Sequence, residues 1–355
     1  MTAVRMAPAA ITGLGLVTAV GLGAAQTAAS VRAGLANLHE HPTFLPTTRD
    51  PGWDEDDLLL CGSAPGLDPS LPGPARLVEL AVMALNDLVK TSGLGRRDFA
   101  NMALCVALPA LDDVVQSWGL AELFLPDLLG KAGLGAFAAT RVIHAGPTGV
   151  LELVGVAESL FQTRTVERCL LLGVDSYLDD GRLALLDSHY RIRSRRNVDG
   201  FLPGEGAAAV VIEPKSIAKA RGTAVLATIS SLAFAREPRT ALGERQSSGA
   251  GLCEALNGLF AAGGGAASSV LCDLNGESYK AYEWGLALAR MGERLASVRR
   301  LVHPADCHGE IGAATAGSLI ACAAMSFQRG YAVGPEATLF CGSDEGLRAA
   351  ARLTR

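Results

Sequence analysis

The chain has 355 residues, 49% of them apolar and 19% charged, with a formal net charge of −5. That much apolar material supports a large core and excludes intrinsic disorder, a collagen-like repeat and a small disulfide-stapled scaffold. An isoelectric point near 5.7 argues against a basic duplex-binding surface, so no nucleic-acid partner is expected.

From Met6 to Val31 no residue is charged, an outline shared with export signals and membrane spans. Gly13, Gly15, Gly21 and Gly23 interrupt it, so it reads instead as a buried strand over 9–14, a glycine turn and a helix over 25–35. No membrane association is expected. Residues 43–75, rich in proline and turn formers, read as an elaborated loop, and a long amphipathic helix fits 75–93. Strands follow over 102–108, 140–144, 168–174 and 207–213, with a helix over 149–164. Residues 213–222 form a polar bridge. Beyond it, strands fit 224–233, 269–274, 299–303 and 337–342, with helices over 282–296 and 316–330. The alternation marks an α/β protein. Eight cysteines (Cys61, Cys105, Cys169, Cys253, Cys272, Cys307, Cys322, Cys341) lie mostly in apolar strings with no C-x-x-C pair, which suits a reducing, cytoplasmic compartment.

The two sides of the bridge echo one another. Arg141-Val142-Ile143-His144, a glycine-bearing loop, an apolar helix and a strand ending Gly173-Val174-Asp175 make up the first unit. Arg300-Leu301-Val302-His303, a second such loop and helix, and a strand ending Gly342-Ser343-Asp344 make up the other. An order of elements used twice points to internal duplication, with both helix N-termini near one central site.

These motifs resemble a family. ITGLGLVTAVGLG near the N-terminus, DGFLPGEGAAAVVIEP at 199–214, EPKSIAKARGTAVLATISS after it and HGEIGAATAGSL from His308 are similar, in order, to stretches of the β-ketoacyl-ACP synthases. The resemblance implies a thiolase-like fold: two related βαβαβ-type halves, 1–215 and 216–355, in a five-layer α-β-α-β-α arrangement. It also implies a dimer, either a homodimer or a heterodimer with a ketosynthase, paired through the strand ATRVIH. The family's reaction uses a cysteine at a helix N-terminus, acidified by the helix dipole, and two histidines. By the same resemblance the cysteine position is Gly146, which has no side chain, and the first histidine position is Asn275, which is no acid or base near neutral pH. The second is Gly309 or His308, depending on a one-residue insertion. The chain after Gly312 also reads as shortened.

Other side chains bear on the chemistry. Thr148 or Cys307 could supply a replacement nucleophile, with His144 as base, and Glu277 follows Asn275 in the same pocket. His303, Cys307 and His308, with Asp306 and Glu310, carry ligand-type groups, but Pro304 breaks their helical pairing, so no metal and no cofactor is expected. Glu205 reads as a loop organiser, and Asp175 and Asp344 as Asx-type turn formers. Arg191, Arg193, Arg195 and Arg196 form the one basic cluster, a docking candidate for an acidic partner such as an acyl carrier protein.

The resulting expectation is a ketosynthase-like protein that no longer condenses and serves as partner, scaffold or adaptor. The partner is an active ketosynthase or, in a second version, an effector loaded within a type VI secretion cluster. The alternative is an acyltransferase or thioesterase-like enzyme acting on acyl-ACP or acyl-CoA without the usual cysteine.

Overall fold

The computed structural model describes residues 6–46, 59–194, 197–243 and 245–355. The first half runs β1 (Ala9–Thr18), α1 (Ala24–Ala33), the short pair β2 (His39–Glu40) and β3 (Leu60–Cys61), α2 (Gly73–Ser92), α3 (Arg96–Phe99) and β4 (Ala103–Leu108). It continues with α4 (Asp113–Ser117), α5 (Leu120–Ala132), β5 (Ala139–His144), α6 (Gly149–Gln162), β6 (Cys169–Ser176), α7 (Asp180–Ser188) and β7 (Glu205–Pro214). The second half runs α8 (Lys215–Ala220), β8 (Ala227–Arg236), α9 (Ala250–Ala261), β9 (Ser269–Cys272), α10 (Ser278–Leu295) and β10 (Arg300–Val302). It closes with α11 (Ala305–His308), α12 (Thr315–Gln328), β11 (Glu336–Gly342) and β12 (Leu347–Thr354).

Ten strands line up in the order β10-β9-β11-β12-β8-β1-β7-β6-β4-β5. The halves join where β1 meets β8 antiparallel, through Ala9↔Ile229, Ala10↔Thr228 and Ile11↔Ala227. Outward from that join the first half reads β1, β7, β6, β4, β5 and the second β8, β12, β11, β9, β10, so each half uses its strands in the same order. In both, the outer three strands are parallel and the inner pairings antiparallel. The strands ending Gly173-Val174-Asp175 and Gly342-Ser343-Asp344 are β6 and β11, which occupy the same place in the two halves.

Layering follows from which faces are apolar. Helices α6 and α12 share one core cluster with strand residues of both halves, among them Cys105, Val210, Ile229 and Leu339. Helices α2 and α5 cover the outer face of the first half through Leu77, Leu80 and Phe124. Helices α9 and α10 cover the second through Leu256, Leu259 and Trp284. This is an α-β-α-β-α stack. Covered on both faces, β4 and β6 are buried along their whole length and read as continuous apolar runs rather than alternating ones.

Several expected elements changed. The apolar N-terminal run is β1, paired with β7 over most of its length, and the turn and helix follow it. The polar bridge contains a helix, α8. The strand over 337–342 is not the last, because β12 follows it between β11 and β8. Part of the expected loop at 43–75, residues 47–58, lies outside the described residues.

Candidate functional site

Both central helices begin in a single 3-10 turn, Gly146–Thr148 before α6 and Gly312–Ala314 before α12. The two turns touch. Each opens on a glycine in the left-handed region, with φ of 55° at Gly146 and 46° at Gly312, a conformation that costs an L side chain roughly 1–2 kcal/mol. Proline at position 147 suits the first helical position, where its missing N–H has no intrahelical acceptor to lose.

Each turn is met by the strand third outward from the join in the other half. Asp175, in β6, reaches the second turn, where its Oδ2 accepts from the Ala313 amide at 2.9 Å. A Cβ on Gly312 would lie 1.9 Å from that oxygen. Ser343, just beyond β11, reaches the first turn, where its Oγ donates to the Ala145 carbonyl at 2.6 Å. A Cβ on Gly146 would find Ala110 Cβ at 3.5 Å and Ser343 Oγ at 3.7 Å, both ordinary contacts. The first turn has room for a side chain and the second has none.

Thr148 and Ser343 are buried, and their hydroxyls lie 2.7 Å apart. Thr148 Oγ1 is also 2.6 Å from Glu152 Oε1. Thr148 donates to Glu152 and faces the Ala145 carbonyl at 3.2 Å, the same carbonyl that Ser343 meets. Burial, partly offset by the Thr148 bond, pushes the Glu152 carboxyl above its usual range.

Beside the turns lies a buried polar cluster. Asn275, after β9, donates through Nδ2 to Glu310 Oε2 at 2.9 Å and to Glu277 Oε2 at 3.1 Å, and its Oδ1 accepts from the Glu277 amide at 3.2 Å. Glu310 Oε1 accepts from the Gly312 amide at 3.1 Å and the Thr315 hydroxyl at 2.9 Å, which ties the cluster to the second turn. Lys280 donates to Asp273 at 3.0 Å and to Glu310 at 3.4 Å. Burial alone would lower the Lys280 pKa, but Asp273 and Glu310 outweigh it and hold the amine charged, well above its ordinary value. Arg191 completes the cluster, paired two-fold with Glu277 (2.7 and 3.0 Å) and with Asp344 (2.7 and 3.2 Å).

The expected site residues therefore separate into groups. Gly146 and Thr148 come together, while Asn275, Glu277 and Arg191 form a second set. His144 donates from Nδ1 to the Pro109 carbonyl at 2.8 Å. His303 pairs with Asp306 at 2.8 Å, which raises its pKa. His308 is buried; its Nδ1 donates to the Gly309 carbonyl at 2.8 Å and its Nε2 faces Ser318 at 3.3 Å. Desolvation lowers its pKa, and the ring lies against α12. Burial raises the Cys307 thiol, the reverse of nucleophile activation. Gly309 (φ 78°) crosses Leu202 and Pro203 backbone too closely for a side chain.

Among the described residues no group of three His, Cys, Asp or Glu side chains is arranged to hold a metal. Arg191, expected at a docking surface, points inward and spends four hydrogen bonds on two carboxylates. Arg193 is exposed; Arg195 and Arg196 lie outside the described residues. Asp175 and Asp344 are ion-paired, with Arg182 (2.6 Å) and Arg191 (2.7 Å), rather than being Asx-turn formers. Glu205 binds the Ala64 amide (2.9 Å), Arg76 (2.6 Å) and Ser176 (2.8 Å), holding a loop, α2 and β6 to β7. Sequence reasoning missed Glu152, Asp273 and Lys280 altogether, and the role of Glu310. Set aside there as a metal ligand, it joins Asn275 to the turn at Gly312, and its position two residues before that glycine was the available signal.

No family model and no curated protein matches the sequence. Solved structures do. The oxazolomycin ketosynthase domain OzmH KS7 of Streptomyces albus JA3453 aligns at 15% identity over 98% of this chain and 74% of that one, TM-score 0.76. The ketosynthase from module 6 of the bacillaene synthase of Bacillus subtilis 168 aligns at 12% identity over 98% and 72%, TM-score 0.77. The ishigamide ketosynthase/chain length factor aligns at 19% identity over 98% and 99%, TM-score 0.71. The fold is that of the ketosynthases, thiolase-like. No helix among the described residues is long and apolar enough to cross a membrane.

Proposed function

We propose that this chain is a ketosynthase-fold protein that has lost condensation and works by contact with another protein. The observation that carries the reading is the turn at Gly146. It holds the left-handed elbow at the start of a central helix, yet offers no side chain there. The hydroxyls beside it, Thr148 and Ser343, are committed to Glu152, to each other and to a backbone carbonyl. Asn275 is held between two carboxylates, where it neither donates to nor accepts from an incoming thioester without breaking them. A likeness to a ketosynthase/chain length factor, matched over nearly the full length of both chains, is compatible with a partner role.

In this reading the halves divide near residues 215 and 216, and the protein acts in the cytoplasm. Edge strand β5, half exposed, pairs with its counterpart in a second copy or in an active ketosynthase. An effector-loading adaptor in a secretion cluster is the other version of the same non-catalytic role.

Intact-protein mass spectrometry after incubation with a panel of acyl-CoAs and acyl-ACPs tests the proposal. No acyl adduct is expected on the unaltered chain, and no turnover of the panel by chromatography. A stable adduct mapped to one residue, or catalytic turnover without an adduct, overturns it and leaves an acyltransferase.

A further inference from the structure

A cleft of about 630 Å³ lies between α1 and the last turn of α12, lined by Ala25, Ala29, Arg32, Met325, Arg329 and Tyr331 among others. That volume is within the range of small-ligand sites. A second cleft of about 450 Å³ shares Ala25, Met325 and Arg329 with it and continues past the start of α1 toward β1 and the end of α2. The floor is smooth because α1 (AAQTAASVRA) presents alanines one turn apart.

Cations gather at one end. The Arg32 guanidinium stands 4.3 Å from the centroid of the Tyr331 ring, and Arg300 stands 5.5 Å from it. Arg300 also donates to the Tyr331 carbonyl at 3.4 Å, while Arg329 lines the cleft itself. Among the described residues no carboxylate pairs with Arg32, Arg300 or Arg329, in contrast to the buried arginines of this molecule. The carboxylate at the other end of α1, Asp87, is occupied by the Ala24 and Leu16 amides at 2.9 and 3.1 Å. A guanidinium stacked on an aromatic face keeps its in-plane N–H donors for an oxyanion, in the fork geometry that suits phosphate or carboxylate.

We infer that this cleft is a binding site for a small amphiphilic anion, its phosphate or carboxylate head on Arg32 and Arg329 and its apolar body along the alanine face of α1. An acidic helix from a partner protein fits less well. It would need cations spaced along α1, whose one cation is Arg32. The inference is independent of the reading of Gly146.

Calorimetric titration of the full chain with octyl phosphate, inorganic phosphate and octyl glucoside tests it. Octyl phosphate is expected to bind one saturable site, with inorganic phosphate and octyl glucoside each weaker by about tenfold or more. The double variant Arg32→Gln/Arg329→Gln should lose about tenfold or more in affinity, and Ala29→Leu, at an exposed helical position, should also weaken binding while the melting temperature is kept. Absence of saturable binding, equal binding of octyl glucoside, or unchanged affinity in both variants overturns the proposal. So does tighter binding of a glutamate-rich amphipathic peptide than of octyl phosphate, which would assign the surface to a protein.

Discussion

The two turns at the centre are built alike and filled differently. Both follow the edge strand of their half, both open on a left-handed glycine and both start a central helix. At Gly312 the glycine is obligatory for two reasons, because the backbone is left-handed and because Asp175 occupies the place of a Cβ. At Gly146 only the first reason holds. Two halves alike in strand order thus hold one turn as a structural joint between them and leave room beside the other.

The sharpest way to break that comparison is to give both glycines a methyl group. Gly312→Ala must displace the Asp175 carboxylate from the Ala313 amide and from Arg182, and should cost about 4 kcal/mol or fail to fold. Gly146→Ala meets ordinary contacts and should cost about 1–2 kcal/mol, the left-handed penalty alone. Urea unfolding of the two variants decides it, and equal losses would show that the turns are equivalent after all.

The polar cluster that braces the second turn comes next. Lys280→Met leaves Asp273 and Glu310 buried without their cation and should destabilise by about 3 kcal/mol. Glu310→Gln can accept either from Gly312 and Thr315 or from Asn275 and Lys280 but not from both pairs, and, since Lys280 keeps Asp273, it should cost less. A denaturation series in which Lys280→Met proves neutral would remove the cluster from the account of the turn.

A smaller effect separates the turns by pH. Glu152, which serves the first turn only, has a folded pKa raised above its unfolded value. Its folded form therefore holds a proton that the unfolded chain releases, so stability falls as pH climbs from the unfolded pKa, near 4.3, through the folded one. Glu152→Gln carries a permanent N–H donor and should flatten that part of the profile. Glu152→Ala should lose about 1 kcal/mol from the lost Thr148 bond. An unchanged pH profile in Glu152→Gln would mean that the carboxyl is ionised at Thr148.

The smallest effect concerns the histidine after edge strand β10. His303, beside Asp306, titrates above its ordinary value, and the stability it contributes is present below the unfolded pKa, near 6.5, and lost as pH rises through the folded one. His303 is about one-third exposed and Asp306 about two-thirds, so solvent screening leaves at most a few tenths of a kcal/mol. Proton NMR should find the His303 titration moved down in Asp306→Asn, and an unmoved titration would remove Asp306 as its cause.

Much of the frame was legible because periodicity reports burial directly. The buried runs ALCVAL and CLLLGV became β4 and β6, and the apolar spacing at 149–164 and 316–330 became the central pair α6 and α12. The repeat of Gly-x-Asp strand ends located equivalent strands of the two halves. Strand β12 escaped, since LRAAARLT combines good helix formers with two arginines. Its strand state is imposed by neighbours β11 and β8, and its charges are accepted because Arg348 meets Glu283 at 2.6 Å and Arg352 meets Glu336 at 3.6 Å.

Local pattern and single residues carried the α/β class, the repeated order of elements and the absence of a side chain at Gly146, while the layering came from the family resemblance. Which polar groups meet was settled by the fold. Arg191 lies 86 residues from Glu277 and 153 from Asp344, Thr148 lies 195 from Ser343, and Asn275 lies 35 from Glu310. Desolvation makes such groups find partners wherever the fold delivers them, and spacing along the chain carries no record of that delivery.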